Sequence, residues 1–142
     1  MSPDIPHSPD EADSEATQAF RQGLLVGILV GEGHFGGDGR QPQVTLRMHV
    51  RHESLYRWIE AHFPGGRLYG PYTHGGRSYY QWMARGTYLR DELLPILERH
   101  VTPALDERTY ERLQEMKSRY RLGLEARERP APEADSLSTP TT

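Results

Sequence analysis

The sequence predicts an α+β domain in which one four-stranded antiparallel sheet packs on helices. Three observations carry that expectation. Apolar periodicity and glycine-rich turns give the order helix, hairpin, helix, hairpin, helix, helix, which places two antiparallel strand pairs among helices. The stretch Gln43–Arg51 alternates strictly, with Val44, Leu46, Met48 and Val50 on one face and Gln43, Thr45, Arg47, His49 and Arg51 on the other. A strand of that kind belongs to a sheet covered on one side only. A length of 142 residues suits a single domain.

Residues 17–31 form the first helix, capped near Thr17. Its glycines, Gly23, Gly27 and Gly31, recur every four residues and stack on one side. Each costs roughly 1 kcal/mol relative to alanine, so the stripe needs a reason. Absent side chains let a second backbone approach closely, a steric argument that does not depend on lipid. A short strand, His34–Gly37, leads into the turn Gly36-Gly37-Asp38-Gly39 and then the alternating strand. Ser54–Phe63 is an amphipathic helix through Leu55, Trp58, Ile59 and Phe63, closed by Pro64-Gly65-Gly66. Arg67–Tyr72 and Ser78–Arg85 make the second hairpin across Thr73–Arg77; Tyr80, Trp82 and Ala84 share one face, and Tyr79, Gln81, Met83 and Arg85 the other. A helix over 87–100 carries Pro95, which bends or splits it. The last helix, 106–121, has Tyr110, Leu113, Met116 and Tyr120 as its apolar stripe.

Composition excludes several classes. Without cysteine there is neither disulfide nor thiolate metal site. No run of about 18 apolar residues suggests a membrane span, and the N-terminus lacks the basic-then-apolar pattern of a signal peptide. The net charge of −3 conceals an asymmetry. Residues 1–17 hold five acids and no Lys or Arg, and residues 125–142 hold four acids against Arg127 and Arg129. Both ends read as disordered tails, 1–16 and 122–142, around a folded unit 17–121. Within that unit, residues 34–90 carry eight Arg against Asp38, Glu53 and Glu60, together with five His. Clustered cations of that kind suit a polyanion, although an ordinary arginine-rich surface has the same composition.

The uncovered face of the sheet narrows the partner. Gln43, Thr45, Arg47, His49 and Arg51, with Arg67, Tyr69, Tyr79 and Gln81, are hydrogen-bonding and include three Arg. Solvated strands usually mix in acids; this face has almost none. A two-stranded ribbon fits the major groove of B-DNA, where Arg pairs bidentately with guanine and Gln with adenine. Arg40 and Gln41 in the first turn, and His74 and Arg77 in the second, extend the same surface toward double-stranded DNA.

Leu25-Val26-Gly27-Ile28-Leu29-Val30-Gly31-Glu32-Gly33, followed by His34-Phe35, resembles the signature of the LAGLIDADG homing endonucleases in its Gly-Glu-Gly variant. The element order is similar to that family's αββαββα fold across residues 17–121. Arg57-Trp58, Gly65-Gly66-Arg67-Leu68-Tyr69 and Tyr80-Gln81-Trp82 are further echoes. The resemblance implies a homodimer joined through Gly23, Gly27 and Gly31, reading a pseudo-palindrome of roughly 20 base pairs. It implies Mg²⁺ held by Glu32, with backbone carbonyls near Gly31, against the scissile phosphates. It implies a pocket in which His52 orders or deprotonates the attacking water and Arg85 stabilises the charge developing on phosphorus. The expected function is site-specific, Mg²⁺-dependent double-strand cleavage by an intracellular, cytoplasmic protein associated with the bacterial nucleoid. The alternative is a domesticated relative, a regulator or splicing helper, that binds DNA without cutting. Departures from the family pattern bear on that choice: Val30 stands where an acid is usual, Val26 where alanine is, and no Lys lies near the pocket.

Overall fold

The computed structural model describes residues 13–123, so the expected acidic tails fall almost wholly outside the described residues. The helical path begins with a π-helical turn, Asp13–Thr17, that runs directly into α1, Gln18–Glu32. Thr17 is itself helical (φ −69°, ψ −38°) and its hydroxyl caps nothing. The expected cap is not formed because the chain is already helical before that residue.

After α1 come β1 (Gly33–Gly37), β2 (Pro42–His49), α2 (Glu53–His62), β3 (Arg67–His74) and β4 (Arg77–Arg85). A continuous helical run, numbered α3 here, then passes through Gly86–Tyr88, a π-helical stretch Leu89–Leu93, and Leu94–His100. Pro95 closely follows that stretch and has no N–H to donate to the turn before it. The wider π turn absorbs what the sequence expects as a bend or break. The last helix, α4 (Glu107–Tyr120), starts at Asp106, whose Oδ2 accepts from the Thr109 N–H (2.8 Å) and hydroxyl (2.6 Å).

The four strands form one antiparallel sheet in the order β1-β2-β4-β3. The two hairpins thus lie side by side, joined along β2 and β4 from Gln43↔Arg85 to His49↔Tyr79. The second hairpin closes through Gly75 (φ +61°) and Gly76 (φ +80°) alone. Such a two-residue turn needs positive φ at both positions, which makes it tighter than the expected connection. β2 ends at His49, two residues short of the expected Arg51, because the His49 Nδ1 accepts the Arg51 N–H (2.9 Å) and turns the chain into a 3-10 segment, Val50–His52.

One face of the sheet is the core. Val44, Leu46, Trp82 and Ala84 are fully buried, beneath Leu25 and Leu29 of α1, Tyr56 and Ile59 of α2, Leu89, Leu93 and Leu97 of α3, and Leu113 and Met116 of α4. The alternation read from the sequence is therefore the burial pattern of β2 and β4. Tyr56 ties α2 to the central seam, its hydroxyl lying 3.0 Å from the Leu46 carbonyl and 2.9 Å from that of Tyr80. Burial is the main cause pushing its phenol well above the ordinary tyrosine range, so it remains a neutral donor. Among the described residues no helix is long and apolar enough to cross a membrane.

Candidate nucleic-acid interface and active-site residues

The other face of the sheet is uncovered, and the register arranges its side chains in rows. Gln43 stands opposite Arg85; Thr45 lies between His34 and Met83, with Arg67 beyond; Arg47 faces Gln81, with Tyr69 beyond; His49 faces Tyr79, with Tyr72 beyond. His74 and Arg77 pair at the hairpin tip. No Asp or Glu occupies a position on this face. The thirteen residues expected to touch DNA fall on it, in the first turn beside it, or, for Arg51, just beyond its edge. Arg51 is displaced from the strand but lines a shallow cavity of about 430 Å³ with Arg47, His49, Arg77 and Tyr79. At the opposite end Gln41, Arg67, Tyr69 and Arg85 line a second cavity of about 390 Å³.

Sequence reasoning missed three features of this surface. Gly70 and Pro71 interrupt the pairing between Tyr69 and Tyr72, and the shift returns Tyr72 to the outward face, its ring 5.6 Å from that of Tyr79. Period-two reading past Tyr69 puts Tyr72 on the wrong side; the Gly-Pro pair was the only signal of a bulge. Tyr120, expected as core stripe, also reaches the first turn, where its hydroxyl accepts the Gly39 N–H (3.0 Å). Asp38 Oδ1 accepts from the N–H groups of Arg40 and Gln41, 2.8 Å each, and those donors hold its carboxyl below the usual aspartate value. The turn bearing Arg40 and Gln41 is thus fixed from within and from α4. Phe20, 61 % exposed, meets the Trp58 ring edge-on at 6.4 Å, outside the expected helix faces.

The glycine stripe is open. A Cβ built on Gly23, Gly27 or Gly31 meets no atom within 4 Å, so none of the described residues uses the space these glycines leave. Gly23 and Gly27, with Val26, Val30, His100 and Leu105, line a groove of about 290 Å³. Gly33 is the opposite case. A Cβ there would lie 2.6 Å from the Leu29 carbonyl oxygen, which accepts the Gly33 N–H as α1 ends. Only glycine allows the chain to pass from helix to strand so abruptly.

Glu32, the last residue of α1, is exposed and makes no hydrogen bond or ion pair among the described residues. Its negative charge adds to the upward push on Tyr56, and the Arg47 charge opposes it. The backbone does not gather Glu32, His52 and Arg85. Arg85 stands opposite Gln43, while His52 lies beyond His49; six residues along β2 span about 20 Å. Among the described residues no three His, Asp or Glu side chains cluster as a metal site. The donors at the end of α1, one carboxylate and last-turn carbonyls without helical partners, are oxygens suited to Mg²⁺. Mg²⁺ takes one or two carboxylates and fills the rest of its shell with water and phosphate oxygens, so this donor set fits it.

No protein-family profile matches the sequence, and no curated protein does. Solved structures are similar in architecture. The group I intron-encoded homing endonuclease I-CeuI, complexed with DNA, superposes with a TM-score of 0.51 at 16 % identity, over 85 % of this chain and 59 % of that one. The archaeal intron-encoded homing endonuclease I-Vdi141I, complexed with DNA, gives 0.48 at 17 % identity over 58 % and 57 %. The homing endonuclease I-TnaI gives 0.48 at 21 % over 84 % and 89 %. The chain spans less than three fifths of the first two. At such identities the likeness describes architecture alone, and the mixed α+β architecture with a four-stranded antiparallel sheet matches that of the I-CeuI structure.

Proposed function

We propose that this protein is a site-specific DNA endonuclease of the homing type, acting as a homodimer on a pseudo-palindromic duplex. The observation that carries the reading is the uncovered sheet face, free of acid and rich in Arg, His, Gln and Tyr, which follows directly on the exposed Glu32 at the end of α1. A cationic two-stranded ribbon fits the major groove, and the guanidinium groups neutralise phosphate. The open glycine stripe supports dimerisation, since two-fold pairing through it brings the two Glu32 carboxylates toward one axis. Glu32 and the carbonyl of Gly31 from each subunit would hold Mg²⁺, which when bound polarises a phosphoryl oxygen and acidifies a coordinated water. Arg85 and Arg67, at one end of the face, anchor the backbone of the duplex.

A second reading has its own observation. His52 and Arg85 lie at opposite ends of the sheet, which favours a relative that binds DNA without cutting. Incubation with a randomised duplex library, with and without Mg²⁺, separates the two. Cleavage that requires both the metal and Glu32, and disappears in Glu32→Gln with duplex retention unchanged, supports the nuclease. Retention of particular sequences, uncut under every condition, replaces it with the binding protein.

A further inference from the structure

A larger concavity, of about 710 Å³, lies where the first turns of α1 meet the end of α2 and the middle of α3. Phe63, Pro64, Pro95 and Ile96 give it an apolar lining, and Arg21, His62 and Arg99 stand there against one carboxylate, Glu92. Arg99 is exposed, and its Nη1 donates to a neutral partner, Gln22 Oε1, at 3.2 Å. The neighbouring acid Glu98 is committed to Lys117 at 2.6 Å. Tyr88, also in the lining, keeps a neutral phenol, pushed up to about 12 mainly by burial and further by the Glu92 charge. Trp58 continues the aromatic surface. Its ring lies 4.9 Å from that of His62 and 6.3 Å from that of Phe63, and the exposed Phe20 meets it edge-on. The proposed duplex-binding face uses none of these residues.

We propose that this cavity seats the chain's own N-terminal segment, residues 3–11, laid along it as a polyproline-type strap. Those residues lie outside the described ones and read Pro3-Asp4-Ile5-Pro6-His7-Ser8-Pro9-Asp10-Glu11, with Pro at every third position. Pro presets the backbone angle of a polyproline helix, which has three residues per turn. Pro3, Pro6 and Pro9 then share one edge, and Asp4 and Asp10 share another. Segments of this kind dock in aromatic-lined grooves because little conformational freedom is left to lose. Here the acids match Arg21 and Arg99, and Ile5 matches the wall of Phe63 and Ile96. The chain also delivers the segment to the right place. Asp13 begins the helical path, and Gln18 and Gln22 already line the cavity. From Asp13 to Gln22 the helix rises by about 13 Å, and the four steps from Pro9 to Asp13 span about the same length when extended. A chain folded back along α1 therefore brings the proline run level with the cavity. The sheet face also attracts acids, but the full length of α1, about 22 Å, separates the start of that helix from Glu32 and β1.

The test uses the full-length chain, which has no cysteine, so that Ser8→Cys accepts a single nitroxide label. In isotope-labelled protein the nitroxide broadens the amide signals of Gln22, Ile96 and Arg99, and reducing it restores them. In an equimolar mixture of nitroxide-bearing protein without isotope and isotope-labelled protein without nitroxide, the same signals keep full intensity, which assigns the contact to one chain. Added salt, Arg99→Glu, and Asp4→Asn combined with Asp10→Asn each recover most of the lost intensity. The paired Asp substitutions leave every cavity residue in place, so they read the segment even if Arg99→Glu unfolds the protein. Broadening at Arg47, Tyr79 and Gln81 instead puts the segment on the sheet face and overturns the proposal. Broadening seen only in the mixture, which seats it on a second copy, does the same, as does full intensity at Gln22, Ile96 and Arg99 in the labelled chain. None of these results depends on duplex binding or cutting, so the functional reading stands or falls separately.

Discussion

Replacing Gly27 by alanine separates two roles for the glycine stripe, because they predict effects of opposite sign. Gly27 lies in the middle of α1, and a methyl group there meets nothing within 4 Å. In the isolated protomer the substitution therefore carries no steric cost and recovers the helix propensity of alanine, about 0.8–1.0 kcal/mol. For a domain of this size that raises the melting temperature by about 4 °C in dilute solution. In a dimer closed through the stripe, the same methyl group intrudes where two backbones meet. Overpacking costs about 1–3 kcal/mol per site and enters once from each subunit, so even the lower bound gives about 2 kcal/mol, or roughly 30-fold weaker association. Sedimentation velocity over a range of concentrations, with thermal melts at the dilute end, reads both quantities. A variant that melts higher and dimerises as tightly as the wild type refutes the stripe as the interface. A variant that melts lower when dilute refutes the reading of the stripe as open.

Two further substitutions test how the site is held. Gly33→Ala puts a methyl group 2.6 Å from a backbone carbonyl that cannot step aside, so it destabilises by about 1–3 kcal/mol or more, seen as a fall in the urea midpoint. Asp106→Ala removes the cap of α4, and its effect depends on pH. The hydroxyl and then the N–H of Thr109 hold the Asp106 carboxyl below its ordinary value of 3.8 in the folded chain. A lowered folded value means stability that is complete above 3.8 and lost as pH falls through the folded value. The difference between wild type and variant, measured by urea melts, is therefore full at about pH 6 and shrinks toward about pH 2.5. An equal difference at both pH values rules out the ionised cap as its source.

What the sequence disclosed, and what it withheld, follows from the range of the interactions involved. The hairpins were legible because Val44, Leu46, Trp82 and Ala84 alternate with polar residues, and alternation is a local consequence of burial on one face. The outward face was legible for the same reason. The ends of elements were less so: His49 stops β2 when its ring nitrogen accepts the backbone N–H of Arg51, a side-chain-to-backbone bond that periodicity does not see. Tyr72 was hidden by the interruption at Gly70 and Pro71. Tyr120 looked apolar by its spacing, and its bond to Gly39 spans most of the domain in sequence. The separation of His52 from Arg85 was the least legible of all, because it depends on the β2–β4 register, which sets Arg85 opposite Gln43 and leaves His52 beyond His49.

The sheet register also ties the outward Arg47 to the carboxylate. β1 pairs with β2 as far as Gly33↔Leu46, so the helix end at Glu32 and the outward Arg47 each lie one residue from the last paired position. The influence of both charges on Tyr56, which sits behind the seam, agrees with that proximity. Within the proposed complex, the base pair that Arg47 reads is then the one nearest the acid, whereas Arg40, Gln41, Arg67 and Arg85 hold the duplex several residues further along the strands. Binding energy used at the far end is the same before and during reaction, and lowers the concentration of duplex needed without accelerating the step. Energy used beside Glu32 can depend on how the scissile phosphate is seated. A wrong base at the Arg47 position should therefore slow cutting of bound duplex, and a lost contact at Arg67 should weaken binding alone.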